Sequence, residues 1–518
     1  MAGVARLRSM FVDRFLNAIT TYRLTLYYLI GLLFLAGFFS ALGLLPYSAI
    51  DIAIDVCIAA IVSWVANWGF AKLFHAATNS ESVFITALII VCLMPIVPFA
   101  NALFLAGACI VAMGSKYILT IQKQHIFNPA AVGIFAISLL APNYSALWWM
   151  GTPIMMPFVV IGGFLLIRRI RRENMVYLFF TVYIVAFSIA FIIQGTFFTS
   201  LSTLAEILFF RSPIWFFGMI MLAEPITAPG RKRPQLAYAS LIGVLVATQQ
   251  MRFLPFSFTP EEALCIGNIA AYMMTPRHRL VLALQQKIQL TADTIQFIFR
   301  PANPLVFKPG QYMEWTLPHS KTDARGNRRY FSIASAPKPD TLAIAVKFYE
   351  QSSSYKTCLK NLEIGEEIIA AQLGGDFTIP RNVEKKKLVF IAGGIGITPY
   401  ISMIEYIIQE NKKCDTVLLY SMKNVNDSVF IDTLEKARVY GVNTIYTITD
   451  TTAVPADWEW NTGMINAAMI QKEIPDFTER TFYVSGPQLM VQALEKTLAS
   501  MDISKKKIIT DYFPGFAG

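Results

Sequence analysis

The apolar residues of this chain follow two different patterns, and the change lies near residue 276. Residues 24–275 contain nearly all of the long apolar runs, whereas residues 277–518 carry short apolar stretches separated by polar turns. A helix that crosses a bilayer needs ~20 mainly apolar residues, and such runs are rare in soluble domains. The pattern therefore predicts a polytopic α-helical membrane domain followed by a globular half.

Ten apolar segments make up the first half, and two of them are interrupted by proline. Prolines break the third segment at residues 95 and 98 and the eighth at residues 225 and 229. Broken helices at matching places in two five-segment halves predict an inverted repeat, although two ordinary kinked helices would give the same pattern. The segments are 24–43, 50–73, 82–97, 100–120, 127–141, 153–168, 175–195, 213–228, 235–250 and 261–275.

The second half changes its pattern once more, at about residue 385. Before that point, short strands separated by turn residues predict an antiparallel β-barrel; after it, strands alternate with helical stretches, as in a parallel α/β sheet. The predicted domains are 1–276, 277–384 and 385–518. The predicted strands are 280–284, 294–299, 311–317, 330–335, 342–348, 388–392, 416–420, 443–448, 481–484 and 508–510.

Composition and charge place this chain in a membrane. Hydrophobic residues make up 55% and charged residues 15% of the sequence, and the mean hydropathy is +0.49. The net charge of +10 comes from basic clusters, such as residues 168–172 and 231–233, that fall in every second connection between the apolar segments. Because basic loops stay on the cytoplasmic side, we expect both termini and the second half in the cytoplasm, with the lipid bilayer and not nucleic acid as partner.

The six cysteines narrow the range of cofactors. They show no Cys-x-x-Cys spacing, which argues against a disulfide framework, a zinc site or a plant-type iron–sulfur cluster. We therefore predict no metal site.

The stretch 387–400 carries the clearest chemical signal. A buried strand leads into Gly393, Gly394 and Gly396, and Thr398 and Pro399 then open an apolar helix. A strand, a glycine turn and a helix let backbone N–H groups approach a pyrophosphate, and proline is tolerated in the first helical turn. This arrangement predicts a nucleotide-binding loop.

Several further motifs in 277–518 occur in the order found in the ferredoxin–NADP reductase superfamily, which this half resembles. Arg329-Tyr330-Phe331-Ser332 is similar to that family's Arg-x-Tyr-Ser motif. The resemblance implies that Arg329 binds the flavin phosphates, that Phe331 covers the ring face and that Ser332 lies at the ring edge near N5, with Tyr330 in the same FAD-binding strand. Lys347, Ser353, Ser354 and Lys356 fall at the second FAD segment, where the family holds the pyrophosphate.

The same resemblance assigns residues to the nicotinamide nucleotide. Ser421 follows the strand after the glycine loop, where the family binds the adenosine ribose. Ser485-Gly486-Pro487 matches a Cys-Gly-Pro motif, with serine in place of the cysteine near the nicotinamide. Phe516 is the C-terminal aromatic residue expected to stack on the flavin. We expect Ser332, Ser485 and Phe516 to be the catalytic residues, and NADH or NADPH to be the electron donor.

Residues 20–275 resemble the NqrB/RnfD family of flavin-bearing membrane subunits. The residues that carry this resemblance are Lys116, the run His125-Ile-Phe-Asn128-Pro129 and residues 223–229. It implies a second flavin, FMN, on the outer side and a bacterial cytoplasmic membrane. The family links its FMN to a threonine, and Thr152 lies at that place, but the Ser-Gly-Ala before it is replaced by Trp149-Met150-Gly151. We therefore expect a non-covalent FMN held by Trp148, Trp149, Thr152 and main-chain donors near Asn128 and Gly151.

Two acidic residues inside apolar segments need a separate explanation. Asp55 and Glu224 lie where an unpaired charge is costly, and they are candidates for ion binding or flavin contact. Asp51, one turn before Asp55, is expected to reach the outer interface.

These expectations combine into one function and two alternatives. The first reading is a transmembrane flavin oxidoreductase that passes electrons from NAD(P)H through FAD to FMN and then to a quinone or an extracytoplasmic acceptor. A haem-bearing reductase of the ferric-reductase or NADPH-oxidase kind is one alternative, but the membrane half offers only His75 and His125 as haem ligands. The other alternative is a transporter regulated by a reductase domain. NADH against NADPH, ion pumping and the oligomeric state remain open.

Overall fold

The computed structural model divides the chain into two compact units, Met1–His278 and Arg279–Gly518. It describes residues 19–74, 80–96, 102–121, 124–194, 213–251, 254–275, 280–319, 323, 327–455 and 458–513. The domain boundaries predicted at 276 and 384 stay predictions.

In the described part of the first unit, helices alternate with short connections. Two strands of two residues each, β1 (Thr120–Ile121) and β2 (Gln124–His125), pair in antiparallel fashion. Its helices are α1 Thr21–Ala41, α2 Ala49–Leu73, α3 Ser80–Leu93, α4 Ala102–Ile118, α5 Pro129–Leu140, α6 Met156–Ile170, α7 Glu173–Ile193, α8 Ile214–Phe216, α9 Lys232–Ala247 and α10 Pro260–Met274. A π-helical turn, Phe217–Met221, continues α8.

Helices α5 and α10 begin in the same way, with a polar cap followed by proline. The Asn128 side chain accepts a hydrogen bond from the Ala131 N–H, and Thr259 forms a reciprocal capping box with Glu262. Each proline stands in the first turn, where its missing N–H leaves no bond unmade. Both interrupted segments also end before their prolines: α3 ends at Leu93 and the π-helical turn ends at Met221.

Three of these helices are long and apolar enough to cross a membrane, and the location of the chain in a membrane stays a prediction. They are α1, α2 and α7, with mean hydropathies of 1.9, 2.1 and 2.5. Helices α3, α4 and α5 are also apolar but shorter. Large apolar side chains are exposed on α1 and α2, among them Phe34, Ile61 and Trp64. Ten membrane crossings are not shown and stay a prediction.

The second unit begins with a six-stranded antiparallel sheet whose core is aromatic and aliphatic. Phe297, Phe299 and Trp315 are fully buried in it, and α11 (Ser354–Asn361) packs Tyr355 and Leu359 against them. The strand order is β6-β5-β8-β3-β4-β7. The strands are β3 Leu280–Thr291, β4 Thr294–Pro301, β5 Tyr312–Thr316, β6 Arg328–Ser332, β7 Leu342–Lys347 and β8 Glu367–Gly374.

A six-stranded parallel sheet follows, with order β12-β11-β10-β9-β13-β14. Successive strands run outward from β9 on one side, while β13 lies on its other side, so the direction of winding reverses at β9. Ligands of such sheets bind at the carboxyl ends of the strands at this reversal. The elements are β9 Lys387–Gly393, α12 Thr398–Gln409, β10 Asp415–Met422, α13 Ile431–Ala437, β11 Val442–Ile448, β12 Asn461–Thr462, α14 Ala467–Glu473, β13 Thr481–Pro487, α15 Gln488–Ser500 and β14 Ile508–Phe513.

Candidate nucleotide and flavin site

The predicted glycine loop lies at the reversal point of the parallel sheet. Strand β9 ends at Gly393, a 3₁₀ turn covers Gly394–Ile397, and α12 starts at Thr398. Gly394 has φ +52°, and a Cβ built on it would meet no atom within 4 Å. The turn thus leaves open space beside the start of α12, where backbone N–H groups attract an anion.

The small size of Gly396 serves the packing of the turn, and its predicted role toward the nucleotide stays a prediction. A Cβ at this position would lie 2.6 Å from both the Gly486 Cα and the Ser485 carbonyl oxygen. Its small size therefore allows the turn to pack against the end of β13. A Cβ at Gly393 would likewise meet Pro487 at 3.1 Å. Of the three glycines, only Gly394 leaves space for a ligand.

Two predicted catalytic serines are buried with unused hydroxyl groups. Ser332 ends β6 and Ser485 lies near the end of β13, and neither Oγ atom has a hydrogen-bond partner among the described residues. A buried hydroxyl without a partner costs about 1–3 kcal/mol, so a ligand that bonds to it accounts for its presence. Both serines therefore fit a polar flavin or nicotinamide edge. Ser421 is also buried, at the end of β10.

Helix α12 also contacts the loop that follows β6, which brings the barrel strand and the glycine loop into one region. The Ser402 hydroxyl donates to the Ser335 carbonyl oxygen at 2.7 Å, and the Ala336 N–H donates to Glu405 at 2.9 Å. Burial raises the pKa of Glu405, although the bond from Ala336 acts in the opposite direction.

The side chains of β6 alternate between two faces, as strand geometry requires. On one face, the Arg329 guanidinium lies 5.0 Å from the centre of the Tyr355 ring, and the Phe331 ring lies 6.0 Å from it. On the other face, the Tyr330 hydroxyl donates to Glu314 at 2.7 Å. Arg329 and Phe331 therefore share the face that meets α11, and Tyr330 points away from them.

A carboxylate stands between two of the predicted phosphate donors. The Arg329 Nη2 lies 3.5 Å from Asp323 Oδ1, and the Ser354 N–H donates to Asp323 Oδ2 at 3.0 Å. In return the Asp323 N–H donates to the Ser354 hydroxyl, which also lies 3.0 Å from His319 Nε2. Ser353 caps α11 by accepting from the Lys356 N–H. The arginine and the helix start thus form a site that holds an anion, which fits a flavin phosphate.

The predicted phosphate-binding lysines have other partners. Lys347 Nζ is 3.1 Å from Asp293 and also bonds to Asp427. Burial lowers the pKa of Lys347, but the hydrogen bonds that its ammonium group donates to Asp427 and Asp293 outweigh burial and raise the pKa overall. Lys356 Nζ donates to the Lys347 carbonyl oxygen. These bonds connect the barrel to the loop after β10, and the assignment of Lys347 to the flavin stays a prediction.

The main-chain groups expected to hold FMN have partners within the chain. Asn128 caps the start of α5, and Gly151 lies in a 3₁₀ turn in the connection between α5 and α6. The Asn128 N–H donates to Asn268 at 2.9 Å and its side-chain amide to Glu224 at 2.8 Å, while the Gly151 N–H donates to the Trp148 carbonyl oxygen. Both main-chain donors are used within the chain, and their contact with FMN stays a prediction.

The tryptophans beside Thr152 are also part of the protein core. Trp149 is buried and donates from its ring nitrogen to the Val91 carbonyl oxygen at 2.8 Å, and Trp148 meets Phe217 edge-on at 5.8 Å. Among the residues expected to contact FMN, Thr152 differs, because its buried Oγ1 has no hydrogen-bond partner in the described part of the unit. Thr152 alone fits a polar ligand.

The two intramembrane acids are held differently. The Glu224 carboxylate accepts from Asn128 and from the Thr227 hydroxyl at 2.9 Å, which joins α5 to the loop before α9. Asp55 is 1% exposed on α2. Their roles in ion binding stay predictions. No group of three or more metal-binding side chains occurs among the residues that the structure describes. Phe516 and His75 lie outside those residues.

Asp323 and His319 are site residues that sequence reasoning missed. They lie in a polar connection between β5 and β6, and no spacing relative to Ser354 marks them. An acidic residue in this connection indicates a contact with Arg329 and Ser354 only when the fold shows that β6 and the start of α11 lie close together.

Comparison with known proteins agrees with this geometry. Residues 390–496 match the family described as "Oxidoreductase NAD-binding domain". The glycine betaine monooxygenase reductase subunit of Chromohalobacter salexigens is 27% identical over 220 residues, which cover 41% of this chain and 58% of that relative. A flavohemoprotein of Rhodopirellula baltica is 25% identical over 242 residues, covering 44% of this chain and 59% of the relative. The chain thus spans less than two thirds of either protein's length.

One solved structure gives a match of similar extent. The flavohem-like FAD/NAD-binding domain of nitric oxide dioxygenase from Vibrio cholerae O1 biovar El Tor is 21% identical, with a TM-score of 0.40, and the match covers 45% of this chain and 98% of that domain. The family match over residues 390–496 confirms the predicted nicotinamide-nucleotide-binding domain in the second unit. The named relatives add that this chain is similar to reductase subunits and flavohemoproteins over somewhat less than half of its length.

Proposed function

We propose that this protein is a membrane-bound flavin oxidoreductase in which NAD(P)H reduces an FAD held by the second unit. One observation carries the proposal. The second unit contains both an open glycine turn, at the reversal point of its parallel sheet, and a strand, β6, whose Arg329 binds an anionic group. The contact between Ser402 and Ser335 supports their proximity, because it fixes α12 beside the loop after β6.

Each residue then has a task that its surroundings support. Arg329 and the Ser354 N–H bind the FAD phosphates, and Phe331 covers the ring with an apolar face. The glycine turn at Gly394 and the start of α12 receive the nucleotide pyrophosphate, with Ser421 on the adenosine side. FAD, when bound, accepts a hydride and releases electrons singly. The hydroxyl groups of Ser332 and Ser485 supply hydrogen bonds to the flavin and nicotinamide edges, and Phe516 is proposed to stack on the ring.

The first unit is proposed to carry the electrons into or across the membrane. Its apolar helices, its exposed apolar side chains and its basic connections support a multi-pass protein with the reductase half in the cytoplasm. The resemblance to NqrB/RnfD subunits suggests FMN as its redox group. Within the described ranges the Thr152 hydroxyl has no partner, which supports a ligand at that place. A quinone or an extracytoplasmic protein is the proposed acceptor.

The test combines a cofactor inventory with one variant. We expect the purified protein to oxidise NAD(P)H and to release FAD on acid treatment. Arg329→Ala should lose most of its FAD, because Arg329 is a bidentate, charge-matched partner for a phosphate. Arg438→Ala removes an exposed arginine paired with Glu435 and should keep its FAD.

Full FAD content in Arg329→Ala would contradict the assignment of the barrel. A haem spectrum in the wild-type protein would favour the ferric-reductase alternative. FAD without any electron transfer to membrane acceptors would favour a transporter with a regulatory reductase domain.

A further inference from the structure

Two donors assigned to the flavin phosphates are bound to the same carboxylate of this chain. Arg329 approaches one oxygen of Asp323, and the Ser354 N–H donates to the other. The two donors come from different elements, a barrel strand and a helix start, and Asp323 bridges them. A phosphate would bridge the same two groups.

We propose that Asp323 is an internal competitor of FAD: its carboxylate holds the phosphate-binding donors in the flavin-free protein and gives them up when FAD binds. This inference rests on the proposed function, because it takes the barrel as the FAD site. It assigns to Asp323 a role in setting flavin affinity.

The chemistry of these donors indicates that the Asp323 carboxylate and a flavin phosphate compete for them and do not bind them at the same time. The Ser354 N–H belongs to the first turn of α11, where backbone N–H groups have no partner inside the helix and attract an anion. One N–H makes one good hydrogen bond, so it cannot serve both the carboxylate and a phosphate. A carboxylate beside a pyrophosphate would also place like charges together with Arg329 as their shared counter-ion.

A second contact of Asp323, through its main chain, holds the residue beside the start of α11. Its own N–H donates to the Ser354 hydroxyl at 2.9 Å, so residues 323 and 354 exchange two hydrogen bonds. His319 approaches the same hydroxyl at 3.0 Å. A flavin-free barrel thus keeps its phosphate donors ordered, and loading with FAD replaces one anion by another.

The test measures FAD affinity and flavin-free stability of the full-length protein in detergent. Flavin is removed, and FAD is titrated back while its fluorescence is followed. Asp323→Asn keeps the size of the side chain but removes the charge, so FAD should bind about 10-fold more tightly. The melting temperature of the flavin-free protein should fall, because Arg329 and Ser354 lose a charged partner. Asp340→Asn removes an exposed acid of the same unit and should change FAD affinity less than 2-fold.

If Asp323 competes with FAD, Asp323→Asn raises FAD affinity while it lowers the stability of the flavin-free protein. These opposite changes distinguish a competitor from a residue that only stabilises the barrel. If Asp323 only supports the barrel, Asp323→Asn lowers both stability and FAD affinity, and the inference is overturned. Equal FAD affinity in the wild type and Asp323→Asn overturns it as well. In an Arg329→Ala background, the gain from Asp323→Asn should shrink, since the shared partner is gone. A wild-type protein that binds no FAD at all would refute the proposed function instead.

Discussion

The two units treat their predicted cofactor residues in opposite ways. In the second unit, the buried hydroxyl groups of Ser332 and Ser485 find no partner among the residues that the structure describes, and Gly394 leaves open space beside a helix start. In the first unit, the Asn128 side chain donates a hydrogen bond to Glu224, and the Trp149 ring nitrogen donates one to the Val91 carbonyl oxygen. Two predicted serines of the second unit therefore still need a hydrogen-bond partner, whereas most of the predicted residues in the first unit already have one.

This difference shows what a motif resemblance can and cannot carry. A motif fixes which residue types stand at which spacing, but a ligand is required only where the fold leaves polar groups unsatisfied. The first unit uses Asn128 as a helix cap and as a donor to a buried carboxylate, which is sufficient reason for an asparagine before Pro129. Four predictions test whether the contrast between the units holds.

The largest effect is expected at Gly396. Replacing it by valine places a Cβ 2.6 Å from the backbone of β13, which cannot move without breaking the sheet, so the loss of stability should exceed about 3 kcal/mol. We expect little folded, FAD-containing protein, measured as flavin content after purification. A folded Gly396→Val protein that keeps FAD and loses only NAD(P)H binding would show that the glycine serves the nucleotide directly.

Next in size is Asn128→Ala in the first unit. It removes a helix cap and one donor to the Glu224 carboxylate, which together should cost about 2–3 kcal/mol. Ser48→Ala, which removes the exposed cap of α2, should cost about 1 kcal/mol. Both are read from the melting temperature in detergent. Equal losses in the two variants would mean that the buried contact with Glu224 contributes nothing.

The sequence predicts strands well where their residues are apolar and poorly where they are polar. Buried apolar runs fix strands well: 388–392 is predicted and Lys387–Gly393 is observed. Strand β3 continues to Thr291, beyond its predicted end at residue 284, because polar residues such as Lys287 pair with β4 through backbone hydrogen bonds that need no apolar side chain.

Site details are less predictable because their partners are distant in sequence. Gly396 packs against Gly486, 90 positions later, and Lys347 bonds to Asp427 across 80 positions. Local pattern contains no information about such contacts, so the reason for a glycine or the partner of a lysine becomes visible only in the fold. Residue types at the glycine loop are predictable, since strand, turn and helix are local.

A smaller effect is expected at Gly394. Alanine there meets no atom, so the unit should fold, at the cost of about 1–2 kcal/mol for a left-handed residue. The added methyl group occupies the space offered to the pyrophosphate, so KM for NAD(P)H should rise about 10-fold while FAD stays bound. Gly365, in a barrel turn, also has a positive φ and open surroundings, so Gly365→Ala should leave KM unchanged. Equal KM in all three proteins would move the nucleotide away from this loop.

The smallest effect, and the one that decides most about the first unit, is expected for Thr152→Val. Valine keeps the shape of threonine and removes a hydroxyl that is buried without a partner among the described residues. If nothing binds there, the variant should be as stable as the wild type or slightly more stable, because a buried unsatisfied group is gone. If a non-covalent FMN uses the hydroxyl, retention should weaken by ~1 kcal/mol, or about 5-fold in affinity.

Two measurements on Thr152→Val separate these outcomes. Acid extraction gives the FMN content apart from FAD, and a denaturing gel under ultraviolet light shows any flavin that stays attached to the chain. Because Trp149-Met150-Gly151 replaces the motif before the threonine, we expect FMN in the extract and no fluorescent band. A fluorescent band at full length that disappears in Thr152→Val would establish an ester bond. Absence of FMN from the wild type would leave the first unit without its proposed redox group and would extend the contrast between the units to the cofactor itself.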